Sequence, residues 1–333
     1  MKVVLVVPHY HQPRGNKVTV ERISKGLNAL NIHTEIVSST DETTNEVSLT
    51  ADLYHGFHAY QFFKFLEKSA ATLKPYMLTM TGTDLNHDLY DPERREDVIN
   101  TLNGAEAVHV FEKKAKEKLV KEVPSLEKKI FVIPQGAADI SNNNSIFLKE
   151  ETTFLFILPA GIREVKNIPQ AISMLKAVRE KHPYVRLWLV GPVIEESEGD
   201  IVLELVKENE EWIKYLGAFP HEQMGAIFNQ GDVILNTSLS EGQPAAIIEA
   251  MLLEIPVLAS DISGNRSLIN HEETGFLYNN DKEFFDYAEQ LIQEPSVREN
   301  LKAAAKTYVS GNHSPEEEAY QFSSIYKKIL TGK

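Results

Sequence analysis

The chain has 333 residues, of which 42% are hydrophobic and 25% are charged, and this is the composition of a globular protein with more than one core. Its formal net charge of −14 at pH 7 opposes binding to nucleic acid, because a polyphosphate would need a basic patch that the sequence does not offer at the scale of a domain. The absence of cysteine excludes thiol catalysis, disulfides and thiolate metal sites.

The first residues, MKVVLVVPHYHQPRG, contain a short apolar run that ends in a Pro/His/Gly loop, whereas an export signal would end in a small-residue cleavage site. No stretch of the sequence approaches the roughly 20 apolar residues that span a bilayer. We therefore expect a cytoplasmic protein without an integral membrane segment.

Short apolar runs rich in β-branched residues alternate with longer helical patterns, which is typical of parallel βαβ units with helices on both faces of the sheet. The strands predicted in the first half are residues 2–7, 34–37, 52–56, 76–80, 107–110 and 129–133. Those predicted in the second half are residues 154–158, 185–190, 213–216, 232–236 and 256–259.

The polar stretch at residues 139–152 lacks periodicity and predicts a connection between two domains. We therefore expect an α/β protein with two Rossmann-like domains, one at residues 1–140 and one at residues 150–310. A final helix at residues 314–333, with Pro315 near its start, is expected to pack back on the first domain.

Ligands of open parallel sheets bind beyond the carboxyl ends of the strands, and one such end is followed by SLSEGQPAAIIEAM at residues 238–251. Here a glycine turn leads to Pro244, which is expected at the first position of a helix. Proline there leaves the amides of Ala245 and Ala246 unpaired, and the helix dipole adds about half a positive charge. The segment therefore predicts a phosphate site.

Two carboxylates flank this predicted phosphate site. Glu249 lies one helical turn beyond Ala245, and Glu241 lies in the turn before the helix. Carboxylates on either side of a diphosphate suit the hydroxyls of a ribose and a hexose, as a nucleotide sugar requires. The alternative is an acidic residue that only stabilises the start of a surface helix.

The loop GIREVKN, at residues 161–167, supplies two cations from the same half of the chain. Arg163 can bridge two phosphate oxygens and Lys166 can act as a point charge, a pair suited to stabilising a departing diphosphate. Taken alone, they could also be two solvated loop cations. No Asp-x-Asp pair or histidine–carboxylate cluster occurs at ligand spacing, so we expect no metal site and no cofactor.

These segments, in this order, resemble the family 4 retaining glycosyltransferases. EGQPAAIIEA matches their E-x7-E pattern, GIREVKN their G-x-R-x-x-K loop, and IPVLASDISGNRSLINHEETGFLY the stretch that closes their second domain. The resemblance implies a GT-B fold, in which two Rossmann-like domains with parallel sheets face each other across a cleft. It also implies that Arg163 and Lys166 bind the diphosphate, Glu249 the ribose and Glu241 the donor sugar. The implied donor site consists of Gly161, Pro192, Phe219, Gly242, Gln243, Pro244, Ala245, Ala246 and Glu249, together with Gly15 and Asn16 from the first half.

Three segments of the first half, GNKVTVERI, TGTDLNHD and IPQG, resemble the glycosyltransferase-one-domain-containing proteins and the bacterial selenosugar synthases. The resemblance places His58 near the transferring sugar and gives it a catalytic role with Arg163, Lys166 and Glu241. His55 lies close to His58 in sequence and could be mistaken for it. The implied acceptor-side residues are Thr19, Thr83, Asp84 and Gln135.

The resemblance implies transfer of a hexosyl group from a nucleotide diphosphate sugar, UDP-linked before GDP-linked, to an unidentified acceptor. It implies retention at the anomeric carbon, without metal. One alternative is transfer to selenophosphate, which the aromatic segment FHAYQFFKF disfavours because the selenosugar synthases carry arginines there. Another is a nucleotide-sugar-binding protein without turnover. Oligomeric state stays open.

Overall fold

The computed structural model describes residues 1–12, 15–41, 50–69, 73–137, 140 and 148–332. The chain forms two compact units: unit 1 is Met1–Gly136 with His313–Lys333, and unit 2 is Ala137–Asn312. The division falls before the polar stretch at 139–152, because Ala137 and Ile140 are buried in a core of unit 2. Much of the predicted connection, namely residues 139 and 141–147, lies outside the described residues.

Every predicted strand is present, and each end differs from the prediction by at most one residue. The strands of unit 1 are β1 (Lys2–Val7), β2 (His33–Ser38), β3 (Leu53–Phe57), β4 (Tyr76–Thr79), β5 (Ala107–Val110) and β6 (Ile130–Val132). Those of unit 2 are β7 (Phe154–Pro159), β8 (Val185–Val190), β9 (Ile213–Gly217), β10 (Val233–Asn236), β11 (Val257–Ser260) and β12 (Phe276–Tyr278). The short β12 was not predicted.

The helices lie between the strands and at the end of the chain. They are α1 (Gly15–Ala29), α2 (Ala59–Lys68), α3 (Thr83–Asn86), α4 (Arg95–Gly104), α5 (Lys113–Glu122), α6 (Ile168–Lys181), α7 (Glu196–Glu208), α8 (His221–Phe228), α9 (Ala245–Leu252), α10 (Ser263–Arg266), α11 (Asp281–Gln293), α12 (Pro295–Asn312) and α13 (Pro315–Thr331). Short 3-10 turns occupy Asp88–Tyr90, Pro124–Lys129 and Glu164–Lys166. Among the helices of the described residues, none is long and apolar enough to cross a membrane.

Unit 1 is a six-stranded parallel sheet with the strand order β2-β1-β3-β4-β5-β6. Strands β1, β3, β4 and β5 are buried on both faces, since successive side chains of a strand point to opposite faces and nearly all of theirs are buried. Val4 and Val6 of β1 enter one core, and Val3 and Leu5 enter the core that also contains Phe322 of α13. Helix α13 also packs on α1, so unit 1 contains the C-terminal helix.

Unit 2 is a six-stranded parallel sheet with the order β12-β11-β10-β7-β8-β9. Phe156 and Leu158 of β7 enter a core with α6 and α11, and Leu155 and Ile157 enter a core with α8, α9 and α12. The chain runs from β7 outward to β9 on one side and returns through β10 to β12 on the other. Neighbouring strands β7 and β10 thus mark the point where the strand order reverses.

Candidate active site

The carboxyl ends of β7 and β10 form the reversal point of unit 2, where open α/β sheets bind ligands. The loop after β7 holds Lys166, and the loop after β10 holds Glu241. The two loops are joined directly, because the amide of Leu239 donates to the carbonyl of Val165 at 2.8 Å. Thr237 Oγ1 also donates to the carbonyl of Lys166 at 2.8 Å.

Lys166 and Glu241 form a largely buried ion pair at this point, with 14% and 12% of their side chains exposed. Glu241 Oε1 also accepts from Ser238 Oγ at 2.7 Å and from Asn236 Nδ2 at 3.3 Å. Burial alone would raise the pKa of Glu241, but the charge and hydrogen bond of Lys166, the Ser238 hydroxyl and the charge of Arg163 hold that pKa below its ordinary value. Glu241 is therefore an acceptor of hydrogen bonds rather than a proton donor near neutral pH.

Arg163 stands immediately before the 3-10 turn at Glu164–Lys166, in extended conformation. Its Nε is buried and has no hydrogen-bond partner within the described part of the chain. Since Arg163 also acts on the pKa of Glu241, the two predicted cations and the carboxylate lie in one electrostatic neighbourhood. An anion beside them would give the guanidinium an acceptor.

Helix α9 starts one residue later than predicted. Pro244 is the N-cap, with φ −73° and ψ 115°, and Ala245 is the first helical residue, so the placement of Pro244 at the first helical position was wrong. The reason is that the Pro244 carbonyl accepts the amide of Ile247 at 3.1 Å, which is the role of a capping residue. The amides of Ala245 and Ala246 still lack an intrahelical acceptor, because both lie in the first turn.

The turn before α9 is packed against α10, which was not part of the predicted site. A Cβ on Gly264 would lie 2.4 Å from the carbonyl oxygen of Gly242 and 2.7 Å from that of Glu241, so only glycine fits. Gln243 Nε2 donates to Ser267 Oγ at 3.2 Å. The sequence signal for this contact is the small pair Ser-Gly soon after β11.

A layer of buried polar side chains holds Glu241 in place. Asn265, fully buried, donates through Nδ2 to Asn236 Oδ1 at 3.1 Å and to the Ser260 carbonyl at 2.9 Å. Asn236 in turn donates to Glu241, and Ser260 Oγ donates to the carbonyl of Ser238 at 2.6 Å. Asn236 of β10, Ser260 of β11 and Asn265 of α10 thus fix the carboxylate. Sequence reasoning had missed Asn265 and Ser260.

Glu249 lies in the second turn of α9 and is 5% exposed. Its Oε1 is 2.7 Å from Nε2 of His221, the first residue of α8. His221 was not predicted. The available signal was its place after β9, two residues beyond Phe219, which is half-buried and packs against a core of unit 2.

Backbone hydrogen bonds join the loop after β7 to the loop after β8, and the loop after β8 to the loop after β9. The amide of Ile162 donates to the carbonyl of Pro192 at 2.8 Å, and the amide of Gly191 donates to the carbonyl of Gly217 at 2.8 Å. A Cβ on Gly161 would lie 2.3 Å from Cδ1 of Ile194, so a larger residue there would displace the Ile194 side chain in the loop after β8. The predicted residues Gly161, Pro192 and Phe219 therefore sit on three connected loops of one unit.

In unit 1, the sheet order reverses at β1 and β3, and the predicted residues of the first glycine loop follow β1. Gly15 and Asn16 begin α1, and a Cβ on Gly15 would meet no atom of the described residues within 4 Å. Thr19 and Gln135 are buried and joined by a 3.4 Å hydrogen bond between Oγ1 and Oε1. His313 Nδ1 contacts the carbonyl of Gln135 at 2.7 Å.

His58 and His55 have different environments. His58 follows β3, has φ 73°, and caps α2 by accepting the amide of Gln61 on Nδ1 at 3.5 Å. Its Nε2 is 3.6 Å from Asp88 Oδ2. His55 is fully buried in β3, where burial first and His109 second hold its pKa well below its usual range. His58 is thus the histidine at the strand end, and His55 is a core residue.

Asp84 is fully buried and serves the backbone. Its Oδ2 accepts the amide of Ala59 at 2.8 Å, and its Oδ1 accepts the amides of Thr81 at 2.8 Å and Gly82 at 3.0 Å. The carboxylate thus joins the start of α2 to the loop after β4. Thr83 beside it is exposed. Direct contact of these two residues with an acceptor stays a prediction.

Within the described residues, no group of three or more His, Asp or Glu side chains is placed to hold a metal ion. Two cations and a helix N-terminus can bind an anionic group, and two carboxylates can accept hydrogen bonds from hydroxyls.

Residues 139–308 match the family described as glycosyl transferases group 1. The chain is 30% identical over 324 residues to glycosyltransferase 1 domain-containing protein 1 of Xenopus tropicalis, covering 93% of each chain. It is 29% identical over 190 residues to the human alpha-1,3/1,6-mannosyltransferase ALG2, covering 53% of this chain and 46% of that protein. The predicted likeness to the glycosyltransferase-one-domain-containing proteins is confirmed, whereas the family 4 and selenosugar synthase assignments stay predictions.

Solved structures share the fold. Anabaena HepE in complex with UDP-glucose superposes with a TM-score of 0.78 at 17% identity, covering 98% of this chain and 100% of that one. Sucrose-phosphate synthase from Thermosynechococcus elongatus gives a TM-score of 0.79 at 15% identity, with 100% of both chains covered. The prediction of a GT-B fold built from two Rossmann-like units is confirmed.

Proposed function

The chain belongs to the glycosyl transferases group 1 family, and from that premise we propose that it transfers a hexosyl group from a UDP-sugar to an acceptor, with retention and without metal. The UDP-glucose complex of Anabaena HepE supports a nucleotide-sugar donor. UDP is placed before GDP for the same reason.

The observation that carries this proposal is the Lys166–Glu241 pair beside Arg163 at the reversal point of unit 2. In the proposed complex the diphosphate lies against Arg163, Lys166 and the first amides of α9. Glu241 then faces the donor sugar. Negative charge grows on the diphosphate as its bond to the sugar breaks, and cations already in place stabilise that charge without reorganisation.

We place the nucleoside on the other side of the diphosphate. Glu249 is proposed to accept hydrogen bonds from the ribose hydroxyls, and Pro192 and Phe219 to hold the base. Gly161, Gly242 and Gln243 would let the backbone come close to the donor. For unit 1, we propose that the start of α1 and the loops after β3 and β4 serve the acceptor and the transferring sugar.

The proposed step is a front-face displacement. The acceptor oxygen bonds to the anomeric carbon on the face from which the diphosphate departs, and the bond between that carbon and the β-phosphate oxygen breaks. The acceptor proton passes to a diphosphate oxygen, so no side chain must act as base. Glu241 stays ionised in this scheme, in keeping with its lowered pKa, and accepts hydrogen bonds from the sugar.

Binding is tested by thermal unfolding with UDP, GDP and their sugars, in buffer containing EDTA. Both tryptophans, Trp188 and Trp212, are buried in unit 2, so their fluorescence follows the unit that is expected to bind. A ligand at a hundred times its dissociation constant stabilises by about 2.7 kcal/mol. UDP should shift the transition more than GDP does. Loss of binding whenever EDTA is present would overturn metal-independent binding.

Chemistry is tested by release of UDP from UDP-sugars with Arg163→Ala and Lys166→Ala. Loss of one preorganised contact to developing charge lowers turnover by about 10²–10³. Lys214→Ala is the matched control, since Lys214 pairs with Glu150 at the opposite end of β9. Near wild-type turnover in both site variants would refute the diphosphate assignment, and a β-linked product from an α-linked donor would refute retention. Binding with no turnover on any acceptor would identify a silent binding protein.

A further inference from the structure

The segment between β9 and α8 carries two residues that bear on the nucleoside. It turns at Gly217, where φ is +78°, and runs through Phe219 and Pro220 to His221 at the start of α8. Phe219 is the residue proposed for the base. His221 reaches across to α9 and contacts the carboxylate of Glu249.

The His221–Glu249 contact is short and largely shielded from solvent. Nε2 of His221 lies 2.7 Å from Oε1 of Glu249, and the two side chains are 27% and 6% exposed. An ionised carboxylate only accepts hydrogen bonds, so the histidine nitrogen is the donor. A distance of 2.7 Å is at the short end for an N–H···O bond, as is usual when one partner is charged.

We propose that His221 is a positioning residue that holds the Glu249 carboxylate in the orientation needed to accept hydrogen bonds from the ribose hydroxyls. This inference rests on the proposed function. A glutamate side chain has three rotatable bonds, and fixing them on ligand binding costs entropy. The bond from His221 fixes Glu249 beforehand while taking one of its roughly four acceptor sites.

The competing explanation is that the pair only joins α8 to α9. The two explanations predict different changes in the affinity for nucleotides. A structural tie would weaken every nucleotide equally when it is removed. A positioning bond matters only for ligands that carry the ribose hydroxyl from which Glu249 accepts a hydrogen bond. Its removal should therefore leave the affinity for a ligand without that hydroxyl nearly unchanged.

The experiment measures binding of UDP, 2′-deoxy-UDP and 3′-deoxy-UDP by calorimetry to wild type, His221→Phe, His221→Gln and Glu249→Gln. Phenylalanine keeps a flat ring without a donor, and glutamine restores an N–H donor. His182→Phe is the matched control, because His182 Nε2 contacts Glu289 Oε1 at 2.8 Å in the same unit. That contact lies at the far end of α6, about 20 Å from the residues that begin the helix.

We expect His221→Phe to weaken UDP about tenfold, as loss of one hydrogen bond to a charged group predicts, and to leave at least one deoxy ligand nearly unchanged. His221→Gln should recover most of the affinity, and His182→Phe should change none. Equal weakening of all three ligands by His221→Phe, with unit 2 still folded by tryptophan fluorescence, would overturn the positioning role.

The outcomes separate this inference from the function it rests on. If Glu249→Gln loses ribose discrimination and His221→Phe does not, only the role of His221 falls. If wild type binds UDP and its deoxy forms equally, or Glu249→Gln discriminates like wild type, the ribose assignment of Glu249 falls as well. Absence of UDP binding by the wild type would overturn both proposals.

Discussion

Replacing Lys166 by methionine should destabilise unit 2, because methionine keeps the length of the side chain and removes the charge that neutralises Glu241. Removing one partner of a buried ion pair costs about 3–5 kcal/mol. Glu241 would keep the hydrogen bond from Ser238 at 2.7 Å and the nearby charge of Arg163. We therefore expect the lower end of that range, about 3 kcal/mol.

The assay is urea unfolding followed by tryptophan fluorescence, which reports on unit 2 through Trp188 and Trp212. The midpoint should fall while the slope is unchanged, since the surface exposed on unfolding is the same. For a unit of this size, about 3 kcal/mol corresponds to a drop in Tm of roughly 6–12 °C. UDP binding should weaken in parallel.

The pH dependence of stability gives a second test of the ion pair. In the wild type, the pKa of Glu241 is held below its ordinary value, so the stability from this pair is present at neutral pH and is lost as pH falls through the lowered pKa. Without Lys166, burial raises the pKa above its unfolded value. The variant should therefore regain stability relative to wild type as pH falls from 7 toward 4.

The double variant Lys166→Met/Glu241→Gln is the decisive control. Removing the unpaired carboxylate should restore most of the lost stability, since neutral partners in place of a buried pair are often tolerated. Turnover should stay low in the double variant. A single variant as stable as the wild type, or a double variant no more stable than the single one, would refute the account of this pair.

Three further outcomes are expected. Glu249→Gln should raise the donor KM with little change in kcat, whereas Glu241→Gln should lower kcat. Steady-state kinetics over a titration of the donor separates the two effects. A collapse of kcat in Glu249→Gln with unaltered donor affinity would contradict the ribose role. Burial lowers the pKa of His109 to about 4, so unit 1 should lose about 1.4 kcal/mol per pH unit from this group between about pH 6.5 and pH 4. Hydrogen exchange of unit 1 peptides should show that loss in the wild type and less of it in His109→Gln. Arg22→Met should destabilise unit 1 by about 3–5 kcal/mol, because the bidentate pair with Glu318 at 2.8 and 2.9 Å is buried. The double variant Arg22→Met/Glu318→Gln should recover most of the lost stability in the same exchange measurement. No recovery would contradict the ion-pair explanation.

The architecture was readable from the sequence because most of its central strands, such as β1, β3, β4, β5 and β7, are buried on both faces. Such strands appear as continuous apolar runs, and their alternation with helices specifies parallel crossovers. Strand β12, Phe276–Tyr278, was not predicted. The two compact units divide after Gly136 rather than within the polar stretch at 139–152, because burial of Ala137 and Ile140 in unit 2 depends on tertiary packing, which a polar neighbouring stretch does not reveal.

The charged part of the candidate site was also readable, since Arg163, Lys166 and Glu241 follow strand ends. The partners that hold it were not. His221 and Glu249 are separated by 28 positions, and only the tertiary structure brings the first residue of α8 to the second turn of α9. His55 and His58 could not be told apart by alternation, because every residue of β3 is buried. Only the end of the strand distinguishes them.

The Lys166–Glu241 pair is hard to explain by stability alone. Well-packed hydrophobic residues in place of a buried ion pair are often as stable or more so, and this pair is set in a polar layer formed by Asn236, Ser238 and Asn265. The arrangement has a functional explanation if Lys166 must be available to bind a second anion. The bond to Glu241 fixes the position of the ammonium and leaves others of its three donors for that anion. A diphosphate can therefore share Lys166 with Glu241, and the carboxylate that positions the cation is the same one that would meet the sugar.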